Sequence, residues 1–313
     1  MADVPLIDIG PFRRGDPGGR HSVPAAVGAA CSEIGFFTLA GHGISPDLID
    51  RTYTAARAFF DLPAEAKARV PLAPNGAGYS PLQGEALAST RGEATPADLK
   101  ESFNAGADLE RNVWPAAPAG LRPAVTAYFQ AMTRLAEDLM RIFALALELP
   151  EGYFADKVDR PQSFLRIINY PAPLVEPLPG QLRAGAHSDY GTLTILRSEN
   201  VAGGLQVFSR GGEWLDVRVP PDAFVINIGD MLMRWTNDRW VSTVHRVVNP
   251  PSEEAARSRR QSLVFFHNPN ADAVVACLPT CTSAANPPRY PPVLAGEYLA
   301  AKARAAYTPK DEG

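Results

Sequence analysis

From Pro161 onward the chain breaks into six short runs of β-branched and apolar residues: Phe164 to Tyr170, Thr192 to Leu196, Leu205 to Phe208, Ala223 to Ile228, His245 to Asn249 and Ser262 to Asn268. Gly, Pro and Asn turns separate them, and strands this short bury their apolar faces only as an antiparallel sandwich or a barrel. The first half has a different period. Ser45 has the chemistry of an N-cap with Pro46 at the first helical position, and Leu48, Ile49, Tyr53, Ala56, Phe59 and Phe60 recur at helical spacing behind it. Val125, Phe129, Met132, Leu135, Leu139, Ile142 and Phe143 predict a longer helix over Pro123 to Leu147. Short strands are expected at Val4–Ile9 and Gly35–Leu39, with a helix starting over Pro24–Cys31, while Pro71 to Pro118 reads as loops on the rim of a pocket. Helices ahead of an all-β half give an α+β protein whose helices buttress one side of the barrel. The 313 residues then divide into a mainly helical region 1–155, a barrel core 160–275 and a C-terminal segment with a helix, 276–313.

A formal net charge of -4, a pI near 5.8 and the lack of any Lys/Arg run exclude broad attraction to a polyanion, so no nucleic-acid partner is expected. No apolar stretch approaches the roughly 20 residues that cross a bilayer. Met1 to Gly10 lacks a basic segment ahead of an apolar one, so a cytosolic protein without a membrane partner is expected. Cys31, Cys277 and Cys281 are too few for a disulfide framework, and Cys277 with Cys281 lacks the second pair a zinc site needs. A monomer is the default expectation.

His187-Ser188-Asp189 sets an imidazole and a carboxylate two residues apart on an extended segment, where both leave the same face. The chain has five histidines, and His245 lies in another strand-like run. Two imidazoles and one carboxylate on one side of an octahedron are the donor set of non-haem Fe(II) oxygenases, with positions left for a co-substrate and O2. Arg260 and Ser262, again two apart on an expected strand, offer a guanidinium fork and a hydroxyl that can anchor a carboxylate. His267 competes with His245 as third ligand, His42 belongs to a Gly-His-Gly turn, and His21 sits in a polar loop.

On these residues the chain resembles the isopenicillin N synthase-like family of Fe(II)- and 2-oxoglutarate-dependent dioxygenases. The N-terminal half matches through Pro5-Leu6-Ile7-Asp8, Gly35-Phe36-Phe37, His42-Gly43-Ile44, Gly78-Tyr79 and Leu99-Lys100-Glu101-Ser102-Phe103. The second half matches through Asn169-Tyr170-Pro171, His187-Ser188-Asp189-Tyr190-Gly191, Asn227-Ile228-Gly229-Asp230, His245-Arg246-Val247 and Arg260-Gln261-Ser262. The resemblance implies a distorted double-stranded β-helix, or jelly roll, flanked by helices. It implies that His187, Asp189 and His245 ligate iron, that Arg260 and Ser262 hold the distal carboxylate of 2-oxoglutarate, and that Tyr170 and Asn169 line that end.

The implied reaction couples O2 and 2-oxoglutarate to oxidation of a small-molecule metabolite, with release of succinate and CO2. Hydroxylation is the default outcome, and desaturation or cyclisation needs only a different fate of the radical. Alternatives within the resemblance are an isopenicillin N synthase-type oxidase without 2-oxoglutarate and an ethylene-forming type, whose arginine in a similar Leu-Arg-Ile context serves the co-substrate and substrate region; Arg166 is open equally to that part and to that of a barrel salt-bridge partner. A silent small-acid binder and a zinc hydrolase are further alternatives; the intact ligand set and the lack of a general base argue against them. Arg166, Tyr79, Phe103, Arg197 and Trp235 are expected around the substrate, whose identity is not encoded in any recognisable motif.

Overall fold

The change of period at Pro161 becomes a change of layer. The structure is a computed structural model describing residues 4–173 and 176–307. Strands β1 (Leu6–Asp8) and β2 (Phe36–Ala40) and helices α1 (Gly10–Arg13), α2 (Pro17–Glu33), α3 (Pro46–Phe60) and α4 (Ala64–Lys67) come first. Strands β3 (Gly78–Ser80) and β4 (Glu101–Gly106) precede the long helix α5 (Leu121–Ala146). The second half supplies β5 (Phe164–Tyr170), β6 (Ala184–His187), β7 (Leu193–Ser198), β8 (Leu205–Phe208), β9 (Trp214–Asp216) and β10 (Phe224–Ile228). Helix α6 (Asp230–Trp235), β11 (His245–Val247), β12 (Arg260–His267), β13 (Val274–Val275), β14 (Val293–Leu294) and α7 (Ala295–Tyr307) complete the chain.

Two sheets make the walls of a jelly roll. The major sheet runs β1-β2-β10-β7-β12-β5-β4-β3 and the minor sheet β6-β11-β8-β9. Alternation along the major strands sorts their side chains onto two faces. Phe103, Leu165, Ile167, Ile195, Leu263 and Phe265 join the core formed with α2, α3 and α5. Ile168, Tyr170, Val225 and Val264 point the other way and meet Val207 and Val247 of the minor sheet, forming the barrel interior. The helices thus cover one face of the major sheet and leave its inner face to the site. Among the described residues no helix is long and apolar enough to cross a membrane.

Several expectations are redrawn. α2 begins at Pro17 rather than near Pro24, because the Asp16 carboxylate caps it by accepting from Gly18 N at 2.9 Å, and Pro24 is carried inside the helix. The segment expected to be loops contains β3 and β4, which extend the major sheet through β5. β4 was hidden because Ser102 and Asn104 alternate with Phe103 and Ala105, which alone of its side chains join the helix-side core. The first 155 residues therefore supply strands at both ends of the major sheet.

Phe265 is fully buried and meets Phe129 of α5 edge to face at 5.1 Å. Phe265→Ala is expected to lower unfolding stability by about 4 kcal/mol through lost burial and the cavity left behind. Urea denaturation checks this; a loss below about 1 kcal/mol would mean that α5 does not form a tight core with β12.

Candidate metal centre and co-substrate pocket

β6 pairs antiparallel with β11 in a register that sets His187 opposite His245, so the rings lie side by side with centroids 4.4 Å apart. Asp189 stands just beyond the end of β6, where its carbonyl accepts from Asp230 N at 2.8 Å. Turn geometry, not strand alternation, therefore brings its carboxylate back. Oδ1 of Asp189 is 4.0 Å from His187 Nε2 and 3.8 Å from His245 Nε2. One donor atom from each of the three residues lies within 4.8 Å of the others.

Every other polar atom of the trio is occupied. Nδ1 of His187 lies 2.7 Å from Gly185 O, and Nδ1 of His245 lies 3.1 Å from Thr243 O. A carbonyl only accepts, so each Nδ1 carries a hydrogen and each Nε2 is the nitrogen turned toward Asp189. Oδ2 of Asp189 accepts from Thr194 Oγ1 at 2.5 Å and Asn227 Nδ2 at 2.7 Å, which leaves Oδ1 to the site. Burial, reinforced by neighbouring His245, lowers the His187 pKa and keeps that ring neutral. Burial would raise Asp189, but the two imidazoles, Asn227 and Thr194 outweigh it and hold the carboxyl below its ordinary range. Two imidazole nitrogens and one carboxylate oxygen, each oriented from behind, fit Fe(II).

A second polar patch lies in the same barrel interior. Arg260 is buried, opposite Tyr170 in register, with its guanidinium 5.1 Å from the Tyr170 ring. Its Nη1 donates to Gly203 O at 2.7 Å, while its buried Nε has no partner. Ser262 Oγ is 2.9 Å from Ser198 Oγ. A desolvated guanidinium with spare donors beside a hydroxyl suits a carboxylate.

Arg166 also faces the interior, donating to Asn104 Oδ1 at 3.2 Å and Glu85 Oε2 at 3.0 Å. Glu85 is 3.4 Å from Lys100 Nζ, which donates to Asp98 Oδ2 at 2.8 Å. Asp98 Oδ1 accepts from Gly185 N at 3.0 Å, the residue whose carbonyl orients His187. A Cβ at Gly185 would come within 2.9 Å of Ala88 N, so only glycine fits there. This charge-balanced quartet was not foreseen from sequence, although Asp98-x-Lys100 has the two-residue spacing of one strand face. Thr194 and Asn227 were likewise missed as site residues.

Other expected residues lie apart from the metal trio. Asn169 is on the helix-facing side of β5, donating to Glu101 Oε1 at 2.8 Å. Tyr79 donates to Glu101 Oε2 at 2.5 Å, and Phe103 packs on Phe59, both on that same side. Arg197 alternates outward with Ile195 and lines a cleft of about 960 Å³ with Tyr53, Arg57 and Arg259. Trp235 is buried against Phe154 in the core. The structure brings none of these five to the inner face that carries Arg166.

His42 and His267 have structural partners. His42 Nε2 is 2.7 Å from Asp222 O, and its Nδ1 accepts from Ile44 N. His267 is buried outside the metal trio, with Nδ1 2.8 Å from Thr192 Oγ1, and burial pushes its pKa down to about 4. The unfolded chain, with a histidine near 6.5, then binds the proton first. Stability is intact above about pH 6.5 and is lost as pH falls toward 4, by about 3 kcal/mol at most. His267→Gln should melt with a flatter pH dependence over that window than wild type, and parallel curves would refute the assignment.

A jelly roll presenting two imidazoles and a carboxylate defines a non-haem metal centre of the oxygenase class. Residues 162–269 match the model of the 2OG-Fe(II) oxygenase superfamily, and residues 4–117 match the N-terminal model of the non-haem dioxygenases in morphine synthesis. A 2-oxoglutarate-Fe(II) type oxidoreductase of Emericella nidulans is 33% identical, the match covering 92% of this chain and 86% of that one. A homoarginine-6-hydroxylase of Oryza sativa is 31% identical, covering 96% of each chain. The crystal structure of a full-length Neurospora crassa protein in complex with alpha-KG and thymine superposes with a TM-score of 0.87 at 32% identity, covering 97% of each chain. The chain belongs to the isopenicillin N synthase-like family of 2-oxoglutarate-Fe(II) oxygenases. It is an oxidoreductase that uses Fe(II), 2-oxoglutarate and O2.

Proposed function

We propose that His187, Asp189 and His245 hold the iron, that Arg260 and Ser262 anchor the distal carboxylate of 2-oxoglutarate beside Tyr170, and that the enzyme hydroxylates a small metabolite bearing charged groups. The observation carrying the metal assignment is that each ligand side chain has every polar atom but one already occupied. Bound iron supplies activation of O2, one oxygen of which enters succinate and the other the product, as 2-oxoglutarate loses CO2 and a substrate C–H becomes C–OH. The chain's own share is positional. Gly185 and Thr243 fix the imidazole tautomers, and Thr194 with Asn227 fixes the carboxylate. Arg260 and Ser262 set the depth of the co-substrate, and the apolar inner wall of Ile168, Val207 and Val264 excludes water.

The charged quartet supports the substrate class. Lys100, Asp98, Glu85 and Arg166 are largely buried, with side-chain exposures of 4%, 2%, 7% and 12%. Their separation from water favours a ligand that exchanges these pairs for its own charges, a small zwitterion or polar nitrogenous compound, over an apolar hydrocarbon. The relative that acts on homoarginine fits the same chemistry. We further propose that it works as a cytosolic monomer without a nucleic-acid partner, in line with the net charge of -4.

The test is a panel of zwitterionic, neutral polar and apolar metabolites screened for stimulation of succinate formation. Zwitterions should stimulate most, and Glu85→Gln and Arg166→Met should erase that preference by on the order of tenfold. Best stimulation by apolar compounds would overturn the substrate class.

A further inference from the structure

Arg183 precedes β6 and is 2% exposed, among the most buried cations of the chain. Its Nη1 donates to Ala202 O at 3.0 Å, and its Nη2 donates to Ser258 O at 2.5 Å and Ser258 Oγ at 2.8 Å. Among the described residues no carboxylate lies within salt-bridge distance of Arg183, and none lies within it of Arg260. The Tyr170 ring lies close to both guanidinium groups, 5.9 Å from Arg183 and 5.1 Å from Arg260. Both also hold one turn by consecutive carbonyls, Arg183 through Ala202 and Arg260 through Gly203. Gly203 has φ +82°, and a Cβ there would come within 2.9 Å of Arg183 Nη1, so the turn is shaped around that guanidinium.

Two buried cations side by side without a counter-ion repel each other and are costly to desolvate. Burial, with Arg260 adding to it, pulls the Arg183 pKa down to about 10. Most buried charges in proteins are neutralised, so a pair left open points to a ligand that completes it. Glu199, the carboxylate in whose field Arg260 sits, is already engaged by Arg57 at 2.6 Å and Gln261 N at 2.7 Å.

We infer that Arg183 is a positioning residue for 2-oxoglutarate: it sets a second buried positive charge behind Arg260 and pins the Ala202–Gly203 turn, so that the pocket selects dicarboxylic over monocarboxylic 2-oxo acids. This rests on the assignment of Arg260 as anchor. Arg183 has its donors turned to the protein, so its effect reaches the ligand through charge and through the placement of Arg260.

The experiment is calorimetric titration of the anaerobic Fe(II)-loaded protein with 2-oxoglutarate and with 2-oxopentanoate, which lacks the distal carboxylate. Arg183→Met should weaken 2-oxoglutarate about tenfold and leave 2-oxopentanoate within about twofold, and Arg183→Lys should restore part of the difference. Equal weakening for both acids would mean a purely structural role, and no weakening for either would remove the role; both overturn the inference. Ser258→Ala, which frees a single Arg183 donor, should move 2-oxoglutarate affinity the same way by about threefold and carries the test if Arg183→Met does not fold. Arg260→Met is measured beside them. If it leaves 2-oxoglutarate binding unchanged the anchor assignment itself fails, whereas a loss there with none in the Arg183 variants sinks only the present inference.

Discussion

His187→Ala and Asp189→Ala are expected to lose Fe(II) binding and to reduce succinate formation by at least about 100-fold, because removing a ligand exceeds the 10- to 100-fold cost typical of removing a group that only orients one. The supporting residues give the graded comparison. Asn227 and Thr194 share one oxygen of Asp189, so Asn227→Ala or Thr194→Val should weaken metal by about tenfold while leaving the trio in place. Metal content after desalting, read alongside succinate, separates the two classes. If His187→Ala retained iron and turnover, the site would lie elsewhere.

Arg260→Met should raise the dissociation constant for 2-oxoglutarate by on the order of 100-fold, about 3 kcal/mol, since on the proposed assignment it removes the charged partner of a buried carboxylate. Turnover at saturating co-substrate should fall far less, because in the proposed binding mode Arg260 would hold only the distal carboxylate. The ligand-free variant should melt no lower than wild type. Arg260 is 4% exposed, its Nε has no partner and burial depresses its pKa, so the guanidinium is a burden until a carboxylate arrives. A variant that melted much lower with unchanged 2-oxoglutarate affinity would recast Arg260 as structural.

What could be read from sequence follows from which forces are local. The helical stripe of α5 and the β-branched runs of β5, β7, β10 and β12 carry their period in the chain, and the structure places these elements within a few residues of expectation. The clustering of His187, Asp189 and His245 was legible because His-x-Asp and a later strand histidine are short signals; the β6–β11 register pairs the histidines and the turn after β6 returns Asp189 to them. Side-chain direction was not. Asn169 and Tyr170 are neighbours in one motif, yet β5 alternation sends Tyr170 to the interior and Asn169 to Glu101. Tyr79 and Phe103 looked like pocket residues because they lie in a glycine- and proline-rich stretch, but β3 and β4 turn both toward α3. The quartet around Lys100 and the second arginine behind Arg260 depend on contacts between residues far apart in sequence, as the 75-residue separation of Arg183 and Ser258 illustrates. No local pattern announces such pairs.

The measurement that bears most directly on the enzyme's chemistry is the stoichiometry of 2-oxoglutarate loss, succinate gain and O2 uptake by the Fe(II)-loaded wild type in air, with iron-free protein as control. One succinate formed per 2-oxoglutarate and per O2 consumed, only with iron present, is the predicted result. Oxygen uptake with no loss of 2-oxoglutarate, or none of either from fully iron-loaded protein supplied with a broad mixture of metabolites, would contradict it.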